Sequence, residues 1–206
     1  MAESSFQPGP EMKARWMMKG RTLIETSDIE GDLSEVLYSE DQIHARIAEL
    51  CRSIEADYEG RDLLLVGVLR GAVMVMADLA RELRRDIEMD WMATSSYGAG
   101  TESSGVVRIV KDLDTDIAGR NVLIIEDIVD SGLTLAWLRA NLESRGPASL
   151  EICALLRKPE AAKVQIDARY VGFEIPNAFV VGYGLDYAEQ YRNLRVVGTL
   201  NPSVYS

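Results

Sequence analysis

Five side chains that could bind a ligand or transfer a proton lie close together in the chain, at the end of an aliphatic run. They are Glu126, Asp127, Asp130, Ser131 and Thr134. Carboxylates can hold ribose hydroxyls or a divalent cation, and Asp130 is placed to transfer a proton. The two hydroxyls can donate hydrogen bonds to a phosphate group. The types and spacing therefore indicate a phosphate site beside an acidic pair.

Such a site needs a strand before it and a helix after it. Residues 122–125 are continuously aliphatic and predict a buried strand that ends at the two acids, whereas residues 133–138 predict the first turns of a helix. In that order, unpaired backbone N–H groups and the helix dipole point at the turn and favour an anion. The alternative for the turn alone is an ordinary strand-to-helix connection in which Ser131 and Gly132 only cap the helix.

Strands and helices alternate along the rest of the chain. A capping box at residues 39–42 opens a helix whose apolar stripe is Ile43, Ile47, Leu50 and Ile54. Further strands are predicted at residues 63–69, 87–95, 106–110 and 149–156, and a further helix at residues 72–84. This alternation predicts an α/β fold with a mostly parallel sheet and right-handed crossovers. The polar stretch at residues 97–105 suits a lid or a disordered hairpin.

Composition excludes several classes of protein. The chain has 206 residues, which suits one α/β domain, and its net charge of −11 argues against a large nucleic-acid interface. No apolar stretch is long enough to span a membrane, and residues 1–30 predict a partly flexible tail without a signal peptide before a domain at residues 31–206. Cys51 and Cys153 predict reduced core thiols, hence a cytoplasmic protein, and His44 predicts a solvated helix residue.

The motif around the acidic pair resembles the phosphoribosyl diphosphate (PRPP) loop of the type I phosphoribosyltransferases. The resemblance implies their fold, an α/β domain with a mostly parallel central sheet flanked by helices and a small hood from the chain ends. It also implies that Glu126 and Asp127 hold the ribose and Mg²⁺, and that Asp130 acts on N7 of a purine. The 5′-phosphate would be cradled by Asp130, Ser131, Gly132, Leu133 and Thr134.

A second loop, at the end of the strand predicted for residues 63–69, resembles the pyrophosphate loop of the same family. It consists of Leu69, Arg70 and Gly71. The resemblance implies that the peptide between Leu69 and Arg70 can be cis and that this loop binds pyrophosphate. Arg70 stands where lysine is common in the family, and Leu133 where certain members carry lysine. Neither departure should abolish phosphate binding, because backbone amides make most of the phosphate contacts, but both bear on PRPP affinity.

The segment at residues 170–187, continued at residues 191–194, is similar to the signature of the hypoxanthine-guanine phosphoribosyltransferases. Phe179 would then stack on the purine, and Val180 would pair with the purine edge through its backbone. Asp186 would contact magnesium and pyrophosphate, and Arg192 the pyrophosphate. Lys158, just past a predicted strand, would donate to the purine O6. Ser96 and Tyr97 match the start of the mobile loop that closes over the reaction centre.

The resemblance implies an enzyme of purine salvage that transfers 5-phosphoribose from PRPP to N9 of hypoxanthine or guanine. The products would be IMP or GMP and pyrophosphate, with Mg²⁺ as cofactor and a homodimer or homotetramer as the assembly. One rival is a xanthine- or pyrimidine-specific phosphoribosyltransferase, which shares the PRPP loop. Another is a regulator that senses PRPP and binds nucleic acid, and a third is an interaction protein that has lost activity.

Overall fold

The computed structural model of the chain describes residues 31–97 and 106–205, which form two compact units. One unit comprises residues 40–178. The other combines residues 31–39 with residues 179–205, as the resemblance implied for a hood built from the chain ends. The predicted tail at residues 1–30 and the central part of the predicted lid, residues 98–105, lie outside the described residues.

A six-stranded sheet forms the centre of the larger unit, in the order β4-β3-β2-β5-β6-β7. The strands are β2 (Leu64–Leu69), β3 (Glu88–Tyr97), β4 (Val106–Lys111), β5 (Asn121–Val129), β6 (Ser149–Arg157) and β7 (Tyr170–Glu174). Every neighbouring pair is parallel except β3 and β4, which are antiparallel. The prediction of a mostly parallel sheet is confirmed.

Three helices of the larger unit pack through apolar residues, and the sequence predicts the apolar stripe of the first of them. They are α1 (Glu40–Asp57), α2 (Val73–Glu82) and α3 (Leu133–Glu143). The predicted stripe of α1 is buried, together with Cys51, whose thiol lies 3.8 Å from the carbonyl oxygen of Leu79 in α2. Leu135, Leu138 and Leu142 of α3 pack in one core cluster with alternate residues of β2. No helix in the described part of the chain is long and apolar enough to cross a membrane.

Two predicted boundaries are wrong. The strand that was expected to end at the acidic pair continues through both acids to Val129, because Ile128 and Val129 still pair with Leu156 and Arg157 of β6. The helix predicted for residues 72–84 ends at Glu82, since Leu83 already has an extended backbone with ψ of 124°. Consequently Glu126 and Asp127 are held by the sheet, and only the residues after Val129 form the turn.

The smaller unit contains an antiparallel sheet in the order β1-β9-β8 and a short helix. Its elements are β1 (Leu33–Tyr38), β8 (Val180–Val181), β9 (Val197–Leu200) and α4 (Pro202–Tyr205). Within the apolar run at residues 179–185, only Val180 and Val181 form a strand, β8. The strand ends there because the chain turns at Gly182, which has φ of 96°. A side chain at Gly182 would meet the carbonyl oxygen of Val196, its Cβ only 2.0 Å away.

Candidate active site

Two of the predicted loops and Lys158 lie at one edge of the central sheet. Strands β2, β5 and β6 are parallel neighbours, so the segments that follow them emerge at the same carboxyl edge. Open α/β sheets bind their ligands at this edge. The segments are the pyrophosphate loop at Leu69, Arg70 and Gly71, the phosphate loop from Asp130 to Thr134, and Lys158.

The phosphate loop is held from behind by a segment that the sequence analysis did not single out. The carbonyl oxygen of Ser131 accepts hydrogen bonds from the backbone N–H groups of Lys163 (3.0 Å) and Val164 (3.2 Å). Gly132 caps α3 with φ of 78°, and a Cβ added there would lie 2.7 Å from the carbonyl oxygen of Val164. The loop therefore requires glycine for both conformation and space. Sequence carries no sign of this brace, because residues 163 and 164 follow a different strand.

The pyrophosphate loop lies against the acidic pair. The peptide bond between Leu69 and Arg70 is cis, as the resemblance implied. A Cβ at Gly71 would lie only 1.6 Å from Oδ2 of Asp127, so the Asp127 carboxylate occupies the space that any side chain at position 71 would need. The backbone of this loop and a carboxylate of β5 are thus in direct proximity.

The two acids of the pair differ in environment. Glu126 is 9% exposed, and burial, assisted by the charge of Asp127, raises the pKa of its carboxyl well above the usual range. Asp127 is partly exposed, and its Oδ1 accepts a hydrogen bond of 2.8 Å from the N–H of Ile128. Adjacent strand residues point to opposite faces of a sheet, which explains the difference. Asp127 is the readier ligand for a hydroxyl or a cation.

Asp130 and Lys158 form an ion pair, with Nζ of the lysine 3.0 Å from Oδ2 of the aspartate. The Lys158 side chain is only 9% exposed, while that of Asp130 is 52% exposed. The backbone N–H of Lys158 also donates to the carbonyl oxygen of Val129, which holds the lysine beside the phosphate loop. The two groups are close enough to act on one ligand.

A cleft of about 880 Å³ opens beside this pair, within the size range of small-molecule sites. Its walls come from the ends of β5 and β6 and from the connection to β7. The lining includes Val129, Asp130, Arg157, Lys158, Pro159, Ala162, Val164, Gln165, Ile166 and Asp167. The cleft thus joins the ion pair to the segment that braces the phosphate loop.

The smaller unit contains four further predicted site residues, Phe179, Val180, Asp186 and Arg192. Phe179 is 41% exposed, and Val180 is buried in β8 opposite Thr199. Arg192 lies 2.8 Å from the Asp186 carboxylate and donates a hydrogen bond of 2.8 Å to the carbonyl oxygen of Gly184. The predicted pyrophosphate ligand and the predicted magnesium ligand are therefore directly paired.

Glu189 is a further charged residue that the sequence analysis missed. Its carboxylate lies 3.3 Å from the Arg192 guanidinium, and its backbone N–H donates to Asp186. Ala188, Glu189 and Tyr191 have φ values of 51°, 63° and 72°, in the left-handed region that side chains seldom adopt. This unusual backbone brings the two acids onto one arginine, which sequence spacing alone does not reveal.

The predicted lid begins at the end of β3. Ser96 and Tyr97 pair through their backbones with Val107 and Val106 of β4, so the residues between them connect two antiparallel strands. Residues 98–105 lie outside the described chain. The role of the lid stays a prediction.

Comparisons with known proteins bear on the whole of this arrangement. Residues 36–188 match the family model described as "Phosphoribosyl transferase domain". The chain is 58% identical over 181 residues to a hypoxanthine-guanine phosphoribosyltransferase from Mycobacterium tuberculosis, covering 85% of this chain and 90% of that protein. It is 51% identical over 174 residues to the enzyme of the same name from Bacillus subtilis, covering 84% of this chain and 97% of that protein.

Solved structures give the same result. A crystal structure of a hypoxanthine phosphoribosyltransferase from Staphylococcus aureus has a TM-score of 0.85 and 48% sequence identity, covering 89% of this chain and 100% of that one. A mutant of the hypoxanthine phosphoribosyltransferase from Trypanosoma cruzi, solved as a ternary substrates complex, has a TM-score of 0.81 and 44% identity, covering 85% and 100%.

Proposed function

The chain belongs to the hypoxanthine-guanine phosphoribosyltransferases, and from this premise we propose that it transfers 5-phosphoribose from PRPP to N9 of hypoxanthine or guanine. The products would be IMP or GMP and pyrophosphate. The family match covers most of the described chain, and the named relatives are similar over nearly their whole length. A cytoplasmic location and a homodimeric or homotetrameric assembly remain predictions.

The ion pair between Asp130 and Lys158 is the observation that carries the proposal. A 6-oxopurine presents two adjacent acceptors on one edge, N7 and O6. Nζ of Lys158 and Oδ2 of Asp130 are 3.0 Å apart, so one can donate to O6 while the other exchanges a proton with N7. Adenine carries an amino group where Lys158 needs an acceptor, and a pyrimidine has no N7.

The PRPP would be held by the loops at the carboxyl edge. Backbone N–H groups at the start of α3, with the hydroxyls of Ser131 and Thr134, would bind the 5′-phosphate. Asp127, and Glu126 when ionised, would hold the ribose hydroxyls. The backbone around Arg70 and Gly71 and the Arg70 guanidinium would bind the pyrophosphate, whose departure leaves an oxocarbenium-like ribose in the transition state.

For the smaller unit, the proposal rests on the family signature and on the contacts within that unit. Phe179 would stack on the purine ring, since 41% of its surface is free, and Val180 would offer backbone groups to the purine edge. Arg192 would bind pyrophosphate. Ser96 and Tyr97 would begin the lid that excludes water.

Magnesium is the proposed cofactor, and the family resemblance assigns Glu126, Asp127 and Asp186 as the carboxylates from which its one or two protein ligands would come. The described residues contain no group of three or more acids, histidines or cysteines that could enclose a metal. That arrangement fits Mg²⁺, which keeps several waters and is commonly bound by one or two carboxylates and substrate phosphates. When bound with PRPP, the ion would neutralise part of the charge that develops on the pyrophosphate.

Turnover of individual bases tests the proposal. Guanine, hypoxanthine, xanthine, adenine and uracil would be offered separately with PRPP and magnesium and followed by ultraviolet absorbance. We expect rapid conversion of guanine and hypoxanthine that stops when the metal is chelated. Turnover of xanthine alone would identify a phosphoribosyltransferase but refute the assignment to hypoxanthine and guanine. Turnover of uracil alone would refute the roles proposed for Asp130 and Lys158 at a purine edge. A folded protein that binds PRPP but converts none of the five would favour a regulator.

A further inference from the structure

We propose that Tyr205 belongs to the base-binding surface, as the residue that positions the ring of Phe179. The inference rests on the proposed function, which assigns Phe179 to stacking on the purine. Tyr205 lies in α4, beyond the family signature at residues 170–187, and outside residues 36–188 that match the family model. Its role is therefore one that the motifs do not assign.

Three aromatic rings of the smaller unit contact one another. The Phe179 and Tyr205 ring centroids are 5.3 Å apart, with planes inclined by 30°. Tyr187 meets Phe179 edge-on at 5.7 Å and Tyr205 at 6.2 Å. These separations are those of favourable aromatic pairs. Phe179 thus has two neighbours that fix its ring plane, while 41% of its surface stays exposed for a ligand.

Hydrogen bonds of Asn201, the residue that precedes α4, fix the position of the helix that carries Tyr205. The N–H of Asn201 donates to the carbonyl oxygen of Asp32 (2.8 Å), and its side-chain amide donates to that of Gly31 (3.2 Å). Its Oδ1 accepts hydrogen bonds from the N–H (3.1 Å) and hydroxyl (3.0 Å) of Ser203. The helix that carries Tyr205 is therefore attached to the chain before β1 as well as to β9.

The same helix has a second contact of a different kind. Val204 packs against the core cluster formed by Val181, Tyr191, Leu194 and Leu200. Its neighbour Tyr205 is 41% exposed and contacts the rings. Consecutive residues of α4 thus carry a side chain that packs in the core cluster and one that borders the exposed surface of Phe179. The two residues give a matched pair for experiment.

The consequence is specific to a planar base. If Phe179 is held in one plane before the purine arrives, less rotational freedom is lost on stacking, and the base binds more tightly. Removing the Tyr205 ring should weaken binding of the base. It should leave PRPP binding and the proton transfer at Asp130 unchanged, because the ring contacts of Tyr205 are with Phe179 and Tyr187, neither of which is assigned to PRPP or to that proton.

Steady-state kinetics of three variants of the full chain test this inference. Tyr205→Leu keeps apolar volume but removes the ring, Tyr205→Phe keeps the ring, and Val204→Ala disturbs only the packing of α4. We expect Tyr205→Leu to raise the KM for guanine and hypoxanthine by roughly 3- to 10-fold, the range of a lost aromatic pair. The kcat and the KM for PRPP should stay within about twofold, and Tyr205→Phe should match the parent.

Binding of GMP measured by calorimetry gives a readout that is independent of turnover, and Tyr205→Leu should weaken it by a similar factor. An unchanged KM for the bases in a folded Tyr205→Leu protein would overturn the inference. So would an equal increase in Val204→Ala, since Tyr205 would then only hold the helix. Failure of the parent chain to convert any 6-oxopurine would instead remove the proposed function, and this inference with it.

Discussion

At the scale of single residues, the central contact of the candidate site is the ion pair between Asp130 and Lys158, with Nζ 3.0 Å from Oδ2. Asp130 and Lys158 are 28 positions apart, and each was predicted from its own motif. Their ion pair follows from the adjacency of β5 and β6, which no local pattern contains. Likewise, Glu126 and Asp127 were predicted to share one task, whereas the pleat of β5 buries the first and leaves the second accessible.

Replacing Asp130 by asparagine should remove proton transfer at N7 while keeping the size of the side chain. General acid–base catalysis contributes about 10²- to 10⁴-fold, so kcat should fall by that factor with a smaller change in the KM for PRPP. Turnover of guanine by Asp130→Asn measures this, with circular dichroism to verify the fold. Near-normal turnover by a folded variant would exclude Asp130 from the chemistry.

Replacing Lys158 by alanine should reduce the preference for 6-oxopurines over adenine, because the only group proposed to donate to O6 is removed. A hydrogen bond from a charged donor contributes about 1.5–3 kcal/mol, equivalent to roughly 10- to 150-fold. The ratio of kcat/KM for guanine and adenine measures the change. Lys163→Ala, an exposed lysine on the neighbouring segment, is the control and should leave the ratio unaltered.

At the scale of elements, most helices and strands could be predicted from the sequence, whereas the hydrogen bonds that hold the phosphate loop in place could not. Periodicity located α1, and its buried stripe is confirmed at Ile43, Ile47, Leu50 and Ile54. The continuous aliphatic runs of β2 and β5 predicted strands covered on both faces, and these are confirmed as well. The brace at Lys163 and Val164 could not be predicted, since it consists of backbone hydrogen bonds between segments distant in sequence.

Gly132→Ala tests this brace. Its Cβ would lie 2.7 Å from the carbonyl oxygen of Val164, and the left-handed φ of 78° would add strain. We expect the phosphate loop to shift, and displacements of about 1 Å can reduce catalysis roughly 10²-fold. Gly146→Ala is the matched control, because its φ is 72° but no atom lies within 4 Å. A similar kcat/KM for PRPP in both variants would show that the close approach to Val164 does not matter.

At the scale of the whole molecule, the negative net charge of the chain does not prevent phosphate binding, because the groups proposed to bind phosphate act only at short range. The chain has a net charge of −11, yet the proposed phosphate ligands are backbone N–H groups, hydroxyls and a few basic side chains. The sequence predicted a domain at residues 31–206, for which the family resemblance implied a hood from the chain ends, and residues 31–205 as described form two compact units. Strand patterns could not show this division, because the smaller unit combines segments from both ends of the described chain.

The two thiols provide a measure of how intact the larger unit is. Burial raises the pKa of Cys51 and of Cys153 from 9.0 to about 12. Both should therefore resist alkylation in the native protein at pH 8 and react only on unfolding. Between pH 9 and 12 the unfolded thiols lose protons that the folded ones retain, so the free energy of unfolding should decrease as the pH rises through this window. Rapid alkylation of either thiol without denaturant would contradict this account.

The central claim is that this chain transfers 5-phosphoribose from PRPP to a 6-oxopurine. Phosphorus nuclear magnetic resonance tests this claim directly. The chain would be incubated with PRPP, guanine and magnesium, and the phosphorus signals followed over time. We predict that PRPP disappears while GMP and pyrophosphate appear in equal amounts, and that omitting guanine stops the reaction. Loss of PRPP to ribose 5-phosphate and pyrophosphate regardless of guanine, or an unchanged PRPP signal in the presence of folded protein, would contradict the account.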